Sequence, residues 1–517
     1  MLAEPPLEAA GALLAERSTR RELIDYEFHG RRLSELIPTA RAELLQAAVD
    51  YSNGYLERPV RGLNSAAPFA LAGHQPQLFH PGVWIKNFAL AELVREGQAV
   101  GVNLVVDTDT ARSAGVLVPG GTAAAPTVAT VPFDAALAEM PFEERRIADS
   151  ELFASFSGRV QERLHPLVAN PLVARFWPDV VERGRATGNL GLAVAQARHR
   201  LEAQWGSHTL ELPQSHVCGF ESFCWFAAAL LTDAVRLRKV YNEALHEYRR
   251  VNGVRSRSHP VPDLARHEDW IEAPFWVWSA AHPRRRRLFV RSVGGELQLT
   301  DRAGWQAALP AAGDGLPAAL CSLPGGVKLR TRALLTTLFA RVVLSDLFLH
   351  GIGGAKYDEL TDLLIARFFE LPPPPYQVLS ATLRLPIERP QASSADVRRV
   401  DGLLRELAYH PEVHADAAYL QNGAAGAGVS LADLIEEKRH WLKTPLSPEN
   451  ARARHLALRG ANEALQPWVA GLRTKLLAER DELTDLARAS ELLASREYAF
   501  CLFPESSLLQ LFGQVFR

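Results

Sequence analysis

One stretch, residues 66–110, constrains the fold more than any other. Phe69 to Ala72 is a short apolar run that stops at Gly73, and a loop follows with His74, Gln75, Pro76, His80 and Pro81. Val83, Trp84, Phe88, Leu90, Leu93 and Val94 then recur at close to helical spacing. After Gly97 a second apolar run, Leu104 to Val106, ends in Asp107 and Asp109. Strand, loop, helix, strand is the opening βαβ unit of a parallel sheet. Open α/β sheets bind ligands outside the carboxyl ends of their strands. Gly73-His74-Gln75-Pro76 and Asp107-Thr108-Asp109 are therefore expected side by side at one rim.

The rest of the chain arranges itself around that unit. Residues 1–65 read as a helical lead-in, with Leu13, Leu14, Leu44, Leu45 and Val49 on amphipathic patterns. Residues 66–390 read as an α/β core with insertions at about 111–205, mostly helical, and about 253–310, mostly short antiparallel strands. In the first insertion, Glu143, Glu144, Arg145 and Arg146 read as a solvated face. In the second, Arg284 to Arg287 can grip a phosphate or carboxylate, or guard an edge strand against aggregation. Residues 391–495, rich in Ala, Leu, Glu and Arg, read as long amphipathic helices forming an arm, and residues 496–517 as a return to the core.

A second informative block lies between residues 321 and 385. Arg330 precedes a helix, a strand Leu344 to Leu349 follows, and then comes His350-Gly351-Ile352-Gly353-Gly354-Ala355-Lys356-Tyr357 before another helix. A glycine-rich loop between strand and helix lets backbone N–H groups approach a phosphate. It is equally the composition of a tight turn. Leu212-Pro213-Gln214-Ser215-His216, ahead of an apolar helix, has the same two readings.

Length and composition bound the class. The chain has 517 residues, 47% hydrophobic and 22% charged, which suits a large globular core in more than one domain. A formal net charge of −2 argues against a general nucleic-acid binder. There is no run of about 18 apolar residues to span a membrane and no signal peptide at Met1, so a cytoplasmic protein is expected. The four cysteines, Cys218, Cys224, Cys321 and Cys501, fit neither a metal knuckle nor a disulfide framework and are expected as reduced thiols. A metal on His74 and His80 would need a third ligand such as Asp107, Asp109 or His350. Phosphate held by His74, Lys86 and the loop amides is the favoured functional reading, beside the plain one of a strand-to-helix turn.

Two loops resemble one family. The bacillithiol-biosynthesis cysteine-adding enzymes carry G-Q-Q-P-G-L-F-x-G-P after the first strand and Y-K-A-L in the next helix. Similar slots here hold Gly73, Gln75, Pro76, Leu78, Phe79, Pro81, Lys86, Ala89 and Leu90, with His74, His80 and Gly82 as departures. The family's later L-R-P and Y-I-G-G segments are similar to Leu329-Arg330 and Gly351-Ile352-Gly353-Gly354, with Tyr357 and Asp358 near the family's E and Y. The family's acidic, histidine-containing segment after the second strand reads Asp107-Thr108-Asp109-Thr110 here. The resemblance implies a Rossmann-like, nucleotidyltransferase-like core with a coiled-coil arm used for dimerisation. It implies ligation of an amino acid to an amine with nucleotide (ATP or ADP) activation of a small-molecule substrate. On that reading His74, Gln75, Lys86, Asp107 and Asp109 are the catalytic candidates. Gly73, His80, Arg330, His350, Gly353, Gly354 and Tyr357 are the binding candidates, and no residue is assigned to a metal. A shorter resemblance of His74-Gln75-Pro76 to the H-Q-P loop of WbqC-like proteins leaves a nucleotidyltransferase or sugar-modifying enzyme as an alternative. A non-catalytic dimeric scaffold is the other.

Overall fold

The computed structural model describes the whole chain except residues 22–25, 62, 65, 137, 416–429, 514 and 516–517. The chain divides into two units. The first comprises Met1–Val118, Ala129–Leu385 and Arg496–Arg517, the second Pro119–Val128 and Pro386–Ser495.

The first unit is built on a six-stranded sheet of β1 (Leu2–Glu4), β2 (Phe69–His74), β3 (Val100–Val105), β4 (Leu210–Pro213), β8 (Leu347–His350) and β9 (Tyr376–Ser380), while β5 (Trp270–Ser279), β6 (His282–Val293) and β7 (Val327–Thr331) belong to a second sheet. Parallel strands covered on both faces read as unbroken apolar runs, and all six residues of β3 are buried. The spatial order is β4-β3-β2-β8-β9-β1, with every pair parallel except the edge pair of β9 and β1. Taken by chain position, the five parallel strands run third, second, first, fourth, fifth. The order thus reverses between β2 and β8, and a crevice is expected above the carboxyl ends of that pair. The expected α/β class with a mostly parallel sheet is what the chain adopts. The short antiparallel β1 lies inside the stretch read as purely helical.

Helices flank the sheet: α1 (Leu33–Asn53), α2 (Pro81–Arg95), α3 (Leu190–Gln204), α4 (Glu221–Thr232), α5 (Gly315–Cys321) and α6 (Ile352–Phe368). The start of α2 is set by its sequence. Pro81 occupies the first turn, where its missing N–H is no loss, and His80 caps the helix by accepting the Gly82 N–H on Nδ1 at 3.1 Å. Gly82 is required by close approach: a Cβ there would lie 2.0 Å from the carbonyl oxygen of Ala381, just past β9. The closing segment packs on the same helix. Phe500 meets Trp84 with ring centroids 4.4 Å apart, and Phe512 stacks on Phe88 at 3.8 Å.

A second, antiparallel sheet holds β5 (Trp270–Ser279), β6 (His282–Val293), the strands Glu296–Thr300 and Gln306–Pro310, and β7 (Val327–Thr331), which pairs with β5. The arginine run occupies the first half of β6. Arg286 and Arg287 pair with Val277 and Trp276 of β5, and the next strand joins β6 only from Phe289 onward. That half of β6 is therefore a local edge.

Three expectations are corrected. Cys224 on α4 and Cys321 at the end of α5 form a disulfide with their Cα atoms 5.7 Å apart, so two of the four cysteines are not free thiols. The packing of α4 on α5 brings together residues 97 apart in sequence, a proximity that spacing does not encode. Cys218 and Cys501 remain free and buried. The glycine-rich loop is shorter than read: α6 begins at Ile352, so Gly353 and Gly354 lie in its first turn and Gly351 precedes it. Glu143 to Arg145 are not a solvated face; Arg145 is buried against Asp134, and the two glutamates meet basic side chains described below.

The second unit holds α7 (Ser394–Tyr409), α8 (Leu431–Lys443) and the 43-residue α9 (Ala451–Leu493), with strand segments in its short stretch Pro119–Val128. α7 runs antiparallel to α9, since Arg399 pairs with Glu479 at 3.1 Å while Gln466 donates to the Leu407 carbonyl at 2.9 Å. Val400, Leu407, Val469 and Leu476 form their common apolar core. These four apolar residues bury on one face of each helix, as an amphipathic pattern requires. Among the described residues no helix is long and apolar enough to cross a membrane.

Candidate functional site

Four loops leave the carboxyl ends of adjacent strands: Gln214-Ser215 after β4, Asp107 to Asp109 after β3, His74-Gln75 ending β2, and His350 to Gly354 from β8. The first three are tied directly. The Val106 N–H donates to the His74 carbonyl at 2.9 Å, and Gln75 Nε2 donates to Asp109 Oδ2 at 3.0 Å. The Ser215 backbone N–H and Oγ–H donate to the two oxygens of Asp107 at 2.9 and 2.5 Å.

His74 is half-buried, and its ring stands edge-on to Phe79 at 4.7 Å. Burial, with the Lys86 ammonium behind it, lowers its pKa to about 3, so the imidazole is neutral. The Gln75 carbonyl lies 3.0 Å from Nδ1. A carbonyl can only accept, so Nδ1 carries the proton and Nε2 keeps its lone pair. Lys86, buried on α2, donates to the Gly73 carbonyl at 2.9 Å. Burial and then Arg198 lower its pKa to about 8. It sits beneath the loop rather than in it.

Asp109 is the junction of the site. It accepts from Gln75, from the Thr110 N–H at 2.7 Å and from Arg285 Nη1 at 2.9 Å. Arg285 lies over the Trp276 ring at 5.0 Å, and Arg332 over the same ring at 4.3 Å. Arg332 is anchored in turn by Glu272 at 2.7 Å. Two clefts open on either side of this junction. One, of about 490 Å³, is lined by His74, Gln75, Asp109, Thr110, Arg112 and Phe142 among others. The other, of about 630 Å³, is lined by Thr110, Glu139, Trp276, His282, Arg284 and Arg285 among others.

Asp107 lies deeper. Burial, with Glu143 beside it, raises its pKa to about 7. Glu143 is held by its own N–H on the Asp107 carbonyl at 2.8 Å and accepts Arg330 Nε and Nη2 at 3.1 and 3.0 Å. Glu144 accepts from Trp278 Nε1 at 3.0 Å and pairs with Lys328. The guanidinium of Arg330 therefore faces a carboxylate of its own chain. A partner 187 residues away removed Glu143 from solvent, and nothing in its local sequence signals that.

His350 points the other way. Its Nε2 lies 2.6 Å from Asp358, which Arg341 also engages at 2.9 Å. Against the upward push of burial, His350 and Arg341 hold Asp358 down at about 2. Gly354 leaves room for this pair, since a Cβ there would lie 2.8 Å from His350 Nδ1. Gly353 has open space about its Cα, and Tyr357 is partly exposed with its ring near that of His259. Neither glycine lines the 490 Å³ cleft. Thus His74, Gln75 and Asp109 share one cleft. Gly73, Lys86 and Asp107 support its floor, His80 caps α2, and Arg330 and His350 to Tyr357 lie in separate clusters.

No protein-family model matches the chain, and no curated protein is found similar to it. Among the described residues no three His, Cys, Asp or Glu side chains gather as a metal site. Sequence reading passed over Arg112, and it named Arg285 only within an arginine run. The usable signal was alternation: on a strand, every second arginine of that run faces the same side.

Proposed function

We propose that this chain is a nucleotide-dependent ligase that joins an amino acid to an amine, with its chemistry at the junction of the two clefts. The observation that carries the reading is the chain Gln75–Asp109–Arg285 at the carboxyl rim, beside the point where the strand order reverses. That order, third-second-first-fourth-fifth, suits a Rossmann-like core, and such cores bind nucleotides at this rim. The amide-forming step comes from the likeness of the two loops to the cysteine-adding enzymes. The neutral His74 offers an acceptor for a ribose or phosphate hydroxyl. Arg285 supplies a fixed cation for a developing oxyanion, and Asp109 supplies a carboxylate for the substrate ammonium. Preorganised charges of this kind lower a barrier because they need not reorient when the reaction occurs. ATP or ADP is the proposed nucleotide. Homodimerisation through α7 and α9 as a coiled coil, and a cytoplasmic location, belong to the same reading.

The test is direct. ATP or ADP should raise the melting temperature of the wild-type chain, and His74→Ala and Gln75→Ala should abolish most of that rise. Release of ADP or AMP should require both an amino acid and an amine. Absence of any nucleotide-induced shift would remove the reading. A second reading, a binding module without turnover, is favoured by the internal pairing of Arg330 with Glu143 and of His350 with Asp358. Nucleotide stabilisation with no product under any pairing of amine and amino acid selects it.

A further inference from the structure

The account above gives the 630 Å³ cleft no occupant of its own. Three basic side chains line it: His282, Arg284 and Arg285, all from the first residues of β6. Arg284 and His282 are exposed and make no side-chain hydrogen bond or ion pair with the described residues. Arg285 is different: its side chain is only 20% exposed, and Asp109 takes a single one of its N–H groups. A guanidinium presents five donors in a planar fork. Here the guanidinium lies over the Trp276 ring, 5.0 Å from its centroid, and Asp109 occupies one N–H of the fork beside the cleft. The lining carboxylate is Glu139, which is exposed.

We infer that this cleft is a second substrate subsite, which takes an oxyanion, carboxylate or phosphate, on the guanidinium of Arg285. Calling it the second subsite rests on the proposed function of the neighbouring cleft; the anion site itself does not. Fork-to-oxyanion bonding is bidentate and charge-assisted, and Trp276 has already restricted the side chain that makes it. Asp109 competes for the same fork. An incoming oxyanion therefore draws Arg285 from Asp109, and leaves that carboxylate to Gln75 and to whatever cation enters the 490 Å³ cleft. Filling one cleft changes the charge offered to the other.

Calorimetric titration of the full chain with inorganic phosphate and, separately, with succinate tests this. Arg285→Gln should weaken binding roughly tenfold or more, as loss of a charge-assisted pair does. Arg285→Lys, which keeps the charge without the fork, should recover part of it. Asp109→Asn should tighten binding roughly two- to fivefold by releasing the fork from a partly exposed pair. Arg286→Gln, which removes a neighbouring charge outside the cleft, should change nothing. The better-bound anion identifies the natural group. Saturable binding of neither anion, or binding indifferent to Arg285→Gln in a variant with wild-type circular dichroism, overturns the subsite. If ATP stabilises the wild type and neither anion binds, the subsite falls and the proposed ligase stands. If anions bind through Arg285 and no nucleotide stabilises the chain, the subsite stands and the ligase falls.

Discussion

Asp107 and Arg341 show how much a single buried charge depends on its partners. Asp107 has a folded pKa of about 7 against a reference of 3.8. Between those values the folded chain holds a proton that the unfolded chain has lost, so this group's contribution to stability falls as pH rises through that window. Above about pH 7 both states are ionised and the loss is complete. Asp107→Asn should therefore gain on the wild type from pH 4 to pH 7, by up to about 4 kcal/mol, and no further above. Urea unfolding of both proteins across that range measures it; a constant difference would show that Asp107 is not desolvated. Arg341 is the opposite case. It is fully buried and satisfies both Asp358 and Asp362, at 2.9 and 2.6 Å. Arg341→Met should cost roughly 3–5 kcal/mol at neutral pH, because it takes the permanent cation from the buried Asp358 and leaves it only His350. The loss should shrink in acid, where Asp358 can protonate, and a pH series of melting temperatures checks the sign.

At the scale of elements, the glycines of two helix starts separate packing from function. Gly82→Ala would drive a methyl group into the Ala381 carbonyl, where backbone meets backbone and neither can rotate away. It should destabilise by about 3 kcal/mol. Gly353 lies in the first turn of α6 with nothing near its missing Cβ. Gly353→Ala should then stabilise by roughly 0.5–1 kcal/mol through backbone entropy alone. Denaturant midpoints test both. If Gly353→Ala also weakens nucleotide binding while it stabilises the fold, α6 joins the proposed site; if binding is untouched, the glycine serves the helix only. The β2–α2–β3 unit was legible because its signals are local: apolar runs, a proline in a first turn and a 3.6-residue repeat. The start of α6 was misplaced because glycine is uninformative in a first turn, where the helix end is held by neighbours rather than by propensity.

At the scale of the molecule, the disulfide between Cys224 and Cys321 closes a loop of 97 residues that contains most of the antiparallel sheet. Cross-links of that span stabilise by about 2–4 kcal/mol, chiefly by restricting the unfolded chain. Cys224→Ser together with Cys321→Ser should lower the unfolding midpoint accordingly, and a reductant should do the same to the wild type and nothing to the variant. Disulfides are uncommon in reducing compartments, so thiol counting on protein trapped in cells with an alkylating reagent also tests the proposed cytoplasmic location.

Read alone, the amino-acid order specified the α/β class, the opening βαβ unit, the helical composition of residues 391–495 and the loops from which His74, Gln75 and Asp109 project. These are properties of periodicity and turn chemistry, which act over a few residues. Tertiary structure decided which charges are used up. Glu143 meets Arg330 and Asp109 meets Arg285 only because segments distant in sequence are packed together. A charged residue reads the same on a solvated face and in a buried pair; desolvation distinguishes them, and desolvation belongs to the assembled fold.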